Sequence, residues 1–168
     1  MRRALLYSIF FFFYLFFATY YGVWGSNTNT DYNFVLHSID NTTSSGGLGF
    51  LILGSVVEGS TIETGFSAFS ILNDGTVPVD ITVKGTDLLG GTTWTLSDTA
   101  TAGVNTYGLK VGLGSYNIIV RKTAAYNTLV SDLAVGASQS FGIQFLAPTS
   151  FSDGVVKTGT LNLTVTAH

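Results

Sequence analysis

Histidine occurs only twice in this chain of 168 residues, at His37 and at the final position, His168. That scarcity limits the available chemistry. A nucleophilic relay needs an imidazole held beside both a hydroxyl and a carboxylate, and both histidines read instead as solvated or interfacial side chains. Cysteine is absent, which removes thiol nucleophiles and thiolate metal sites. With so few nitrogen ligands, a zinc set cannot be assembled either. Carboxylates are the reactive groups that remain. Asp74, Asp87, Asp98, Asp132 and Asp153 fall in or beside loops, where clustered oxygens can hold Ca²⁺. No D-x-D-x-D spacing occurs, so turn formation is the simpler role for them. Glu58 and Glu63 lie near Gly59 and Gly65, and Asp80 alternates outward with Thr82 on a regular strand. None forms a recognisable pair for glycoside hydrolysis. Trp94 and the tyrosines offer stacking surface for sugars, yet a single Trp at a strand position reads as core. The expectation is a protein without catalytic residues, cofactor or metal, and therefore not an enzyme.

Two asparagines carry a different chemistry. Asn41-Thr-Thr43 and Asn162-Leu-Thr164 are N-glycosylation sequons. Asn162 alternates with Leu161 and Leu163, which places it on the solvent face of a strand.

Beyond residue 25 the chain carries all 10 acidic side chains but only five basic ones: Lys84, Lys110, Arg121, Lys122 and Lys157. Charged residues make up only 10% of the whole. Arg121-Lys122 is the only adjacent basic pair there, so no patch exists for nucleic acid. A weakly charged, Thr- and Ser-rich surface suits close subunit packing, because little charge must be desolvated.

The elements that would position these residues begin with an address. Arg2-Arg3 stands before an uncharged apolar run, residues 5–24, the arrangement of an export segment. As a helix, that run would extend about 30 Å, enough to cross a bilayer. Cleavage between Gly25 and Ser26 would make it a signal peptide. If retained, it becomes a membrane anchor or a filament-core helix. Either way the remainder is expected outside the cell or on its surface.

Residues 26–47 read as a polar linker and an extended N-terminal strand. Tyr32, Phe34 and Leu36 share one face of that strand and form a candidate donor-strand set, the alternative being an ordinary first strand of the same subunit. Residues 48–168 read as one β-sandwich domain. Ile71 and Phe69, then Val79, Ile81 and Val83, then Tyr116, Ile118 and Val120 alternate with polar or small neighbours. So do Phe141, Ile143 and Phe145, and finally Leu161, Leu163 and Val165. Asn73-Asp74-Gly75, Gly90-Gly91, Gly112 to Gly114 and Ser152-Asp153-Gly154 mark turns. The spacing predicts about eight or nine short strands, with turns at roughly 8–12-residue intervals. The fold class is all-β: an immunoglobulin-like or jelly-roll sandwich behind an N-terminal hydrophobic helix.

Two stretches carry a resemblance. Phe69-Ser-Ile71-Leu-Asn73-Asp-Gly75, running into Val79-Asp-Ile81-Thr-Val83, resembles the B–C hairpin of many secreted immunoglobulin-like domains. Leu133-Ala-Val-Gly136-Ala-Ser138-Gln-Ser-Phe141 resembles their E–F corner, with Val135 where the pattern has Pro. Both are similar to phrases in camelysin/TasA-like biofilm fibre proteins and similar archaeal bundling pili. The resemblance covers about Thr64 to Ala167. It implies a sandwich that polymerises by donating an N-terminal strand to the next subunit, and it brings no catalytic residues. Arg3-Ala4 before Leu5 also resembles the cleavage site of archaeal type IV pilin-like precursors, which would put processing between Ala4 and Leu5.

The expected function is a structural subunit of an extracellular filament, a pilus or biofilm fibre. Its partners are copies of itself, with the membrane reached through residues 5–24 and glycans as covalent additions. The alternative is a membrane-anchored cell-surface or S-layer-associated binding module, and a third option is a virion structural protein.

Overall fold

The computed structural model describes residues 32–40, 50–123 and 127–168. The run 5–24, the processing positions Ala4, Leu5, Gly25 and Ser26, and the sequon Asn41 lie outside the described residues. What is described is all-β, with no helix, and forms two sheets of a sandwich.

Alternation drives the strands. In β5 (Val79–Gly85) Ile81 and Val83 are fully buried, while Thr82 and Lys84 between them are half-buried. β10 (Ser138–Leu146) turns Phe141, Ile143 and Phe145 inward, and β11 (Lys157–Ala167) does the same with Leu161 and Leu163. Burying each such side chain stabilises the fold by about 1.5–3 kcal/mol before the entropy of ordering is counted.

The first sheet contains β1 (Tyr32–Asp40), β2 (Phe50–Val56), β5, β9 (Asn127–Leu133) and β11, in the order β2-β1-β11-β5-β9. The second contains β3 (Thr61–Glu63), β6 (Thr95–Leu96), β7 (Thr106–Gly112) and β10, in the order β3-β10-β7-β6. In addition β4 (Phe69–Leu72) pairs with β10, and β8 (Ile118–Ile119) pairs with β7. Within the second sheet, Phe69 stacks on its cross-strand partner Phe141 at 5.2 Å between ring centres, and Tyr107 of β7 on Phe145 of β10 at 5.4 Å.

Two expectations are corrected. Eleven strands are described rather than eight or nine: β3 is three residues long, too short for a period to show, and β7 is not among the strands that the spacing predicts. The segment from Phe69 to Val83 is not a hairpin: β4 pairs in one sheet and β5 in the other, so the chain crosses the sandwich between them. The turn marked by Asn73-Asp74-Gly75 is made by a side chain: the Asn73 side-chain oxygen accepts from the Gly75 amide at 3.1 Å.

Candidate assembly site

β1 lies in a slot between two strands of its own chain. On one side it runs parallel to β11, with Phe34 opposite Lys157 and Asp40 opposite Asn162. On the other it runs antiparallel to β2, with Tyr32 opposite Val56 and His37 opposite Phe50. Tyr32, Phe34 and Leu36 therefore all fall on the strand that fills this slot. Neither pairing is regular. The β11 side shifts register between Leu36 and Ile39, and the β2 side between Phe34 and Val35. At the second shift Gly54 takes φ +72°, a left-handed turn of the backbone that glycine adopts without a Cβ penalty and that suits a bulge.

The two walls are held differently: β11 is paired with β5 on its far side, whereas β2 has β1 as its only strand partner among the described residues and meets the core through its side chains. Val56 of β2 is fully buried, and Leu51 and Leu53 pack against the core. β2 leads into β3 of the other sheet through a turn closed by the Ser60 amide and hydroxyl, which donate to the Val57 carbonyl at 3.1 and 2.6 Å. β11 is held along its far side by β5, from Leu161 opposite Gly85 to Ala167 opposite Val79.

The start of β11 is pinned by Lys157. The 2.0-residue period of the strand turns Lys157 inward together with Leu161 and Leu163, and only 1% of its surface is exposed. Its ammonium donates to the carbonyls of Gly90 and Thr92, the latter at 2.6 Å, and to the Asp153 carboxylate at 2.6 Å. It also lies 5.5 Å from the centre of the Trp94 ring, a cation–π distance. Partial burial works against ionisation of Asp153, but hydrogen bonds from Lys157 and Thr92 outweigh it and hold the carboxyl below its ordinary value. This knot ties the loop after β5 to the loop before β11, beside the place where β1 enters. Trp94 is buried and stacks near Phe151 at 4.7 Å, so it offers no open face to a sugar.

At the other end, Asn73 is buried, and its amide donates to the carbonyls of Val77 and Leu133 at 2.9 and 2.8 Å. The Asn73 amide also donates to the Ala137 carbonyl, and the Asn73 carbonyl accepts from the Gly136 amide. The two stretches that carry the resemblance thus meet through the Asn73 side chain, these main-chain bonds and the β4–β10 pairing.

Asp80 lies nearby on the outer face. Its carboxylate accepts from the Asp132 amide at 2.9 Å, from Ser131 at 3.2 Å and from His168 Nδ1 at 2.9 Å. Hydrogen bonds from the Asp132 amide and then from His168 hold the Asp80 carboxyl below its ordinary value of 3.8. The Asp80 hydrogen bond, then its charge, raises His168 above 6.5. The signs follow by linkage. The His168 contribution is complete below pH 6.5 and fades as pH rises through the raised value; that of Asp80 is complete above 3.8 and fades as pH falls through the lowered one. An NMR titration of the imidazole is expected to give a midpoint above 6.5, returning toward it in Asp80→Asn. An unchanged midpoint in that variant would disprove the contact.

The remaining sequence candidates are distributed rather than gathered. Asp87 pairs with Lys122 at 2.9 Å and accepts from the Leu96 amide, and Asp98 accepts from the Lys122 amide at 2.6 Å. Among the described residues no three metal-ligating side chains converge. Asn162 is half-buried on the outer face of β11, opposite Lys84 of β5. Sequence reasoning missed the two buried polar anchors, Lys157 and Asn73. The signal for Lys157 was present: it shares the parity of Leu161 and Leu163.

Compared with protein-family models and with curated proteins, the chain matches none.

Proposed function

We propose that this chain is a structural, non-enzymatic subunit of an extracellular filament, and that it polymerises by lending its N-terminal strand to the next copy. The observation that carries this reading is the slot: β1 fills a gap between β2 and β11, and β11 is tied into the sheet through β5 independently of it. A strand added between two others gains main-chain hydrogen bonds on both sides. Exchanging it between identical copies replaces like with like, at little net cost. The nine residues 41–49 join β1 to β2; drawn out, they reach up to about 30 Å, enough to carry β1 to a neighbour.

Other features agree with the reading. The basic-then-apolar start, residues 2–24, is the composition of an export segment and supports placement outside the cell. The two-sheet architecture suits the immunoglobulin-like or jelly-roll class of the camelysin/TasA-like and archaeal bundling-pilus subunits that the chain resembles. Head-to-tail contacts that do not close generate open fibres.

The test is excision and rescue. A variant lacking residues 26–39 is expected to stay monomeric and to melt at a lower temperature, and a peptide of residues 30–39 is expected to restore its stability. The whole chain, concentrated and viewed by negative stain, is expected to form fibres. Discrete particles at every concentration would refute the reading.

A further inference from the structure

The loops at the end of the sandwich where β11 begins are tipped with apolar side chains. Val57, Leu89, Val104, Val155 and Val156 are exposed there by between 47% and 69%. One connection, residues 147–156, holds the loops that carry them together. The Gly59 amide donates to the Pro148 carbonyl and the Asn105 amide to the Ser150 carbonyl, at 2.8 and 2.9 Å. Gly90 packs on the Val156 main chain and Gly91 on Asp153 and Val155, too closely for a Cβ at either. In residues 57–60, 89–92, 103–105 and 147–156 only two side chains are charged, Glu58 and Asp153. Glu58 accepts from the Phe151 amide at 2.8 Å and Asp153 from Lys157 at 2.6 Å, so neither is a bare charge. An exposed apolar patch with so little charge to desolvate marks a contact surface.

We propose that this tip is a membrane-contact surface, whose valines and leucine enter the boundary between lipid headgroups and acyl chains when residues 5–24 are held in the same bilayer. The place where the chain enters the sandwich selects lipid as the occupant. β1 starts at Tyr32, opposite Val56, and two residues later Phe34 stands opposite Lys157. The chain therefore enters between the strand ends that carry Val57 and Val156. Seven residues, 25–31, separate Tyr32 from the apolar run; fully drawn out they reach about 25 Å, which keeps the tip close to any membrane the run enters. Leu72, Val77 and Val135 are exposed at the opposite end, but the 11 residues of β11 put that end about 35 Å from the entry, beyond the tether. The four tip segments contain no lysine or arginine, so the contact is apolar and needs no anionic lipid. It is independent of strand donation, since it concerns a copy still joined to residues 5–24.

The chain has no cysteine of its own, which makes site-specific labelling clean. The variants Leu89→Cys, Val104→Cys and Val155→Cys, with Val135→Cys as the control at the opposite end, each carry one environment-sensitive fluorophore. The full chain is reconstituted into neutral phosphatidylcholine vesicles. All four side chains are exposed, so the fold is expected to tolerate the changes. Emission from the three tip positions is expected to shift to the blue, and to be quenched more by lipids bearing a nitroxide at a shallow acyl position than at a deep one. The label at position 135 is expected to do neither. Tip labels that stay in water would overturn the proposal. A blue shift without nitroxide quenching would mean that a second copy, or another segment of the same chain, covers the tip, and would overturn it too. Equal quenching at position 135 would mean that no end of the domain is preferred, with the same consequence. Strand donation is read separately, by fibre formation, and stands or falls without these results.

Discussion

Replacing Lys157 with Met is expected to destabilise the fold by about 3–5 kcal/mol, the usual cost of removing one partner from a buried ion pair. Three acceptors lose their donor at once: the carbonyls of Gly90 and Thr92 and the Asp153 carboxylate. Asp153 keeps its Thr92 amide and about a fifth of its side-chain surface stays exposed, so water relieves part of the loss and the lower end of that range is the better expectation. The double variant Lys157→Met, Asp153→Asn is expected to recover part of the loss, because no uncompensated charge is left. Denaturant unfolding of the three proteins checks this. A single variant within about 1 kcal/mol of the wild type would mean that the knot is dispensable.

Phe141→Ala is expected to cost about 3–5 kcal/mol. The ring is fully buried and stacks on Phe69, bridging β10 and β4 next to the corner that Asn73 fastens. Its removal opens a void in a core whose neighbours are themselves held by strand pairing, so little collapse can refill it. Phe141→Leu should keep most of the stability. Thermal melts of both variants decide the matter, and equal losses would place the cost outside the cavity.

The elements that were legible in the sequence are those with long, uninterrupted alternation on one half-buried face. β5, β10 and β11 fall in this class, and Pro78 marks the start of β5 as its missing N–H demands. β7 was not legible, although Tyr107, Leu109 and Val111 alternate, because Gly112 to Gly114 read as a turn, which leaves the residues before it unassigned. The structure shows what Gly112 does: it ends β7, and a Cβ there would stand 1.9 Å from the Ser115 carbonyl oxygen in the turn that follows. The slot itself was half legible. Periodicity announces a strand over 32–40, but pairing partners are set by tertiary register, and no local pattern states that the neighbour of β1 is the strand that begins at Lys157. Buried polar anchors escape for a related reason: Asn73 bends its own turn and also holds Leu133, 60 residues away, and only the first of these roles is local.

The adjacency of β1 and β11 sets the order of folding. β11 begins more than a hundred residues downstream of β1, and parallel strands so far apart in sequence close late, since the loop entropy must be met before the contact forms. While the chain is being made, the N-terminal strand waits for a mate that has not yet been synthesised.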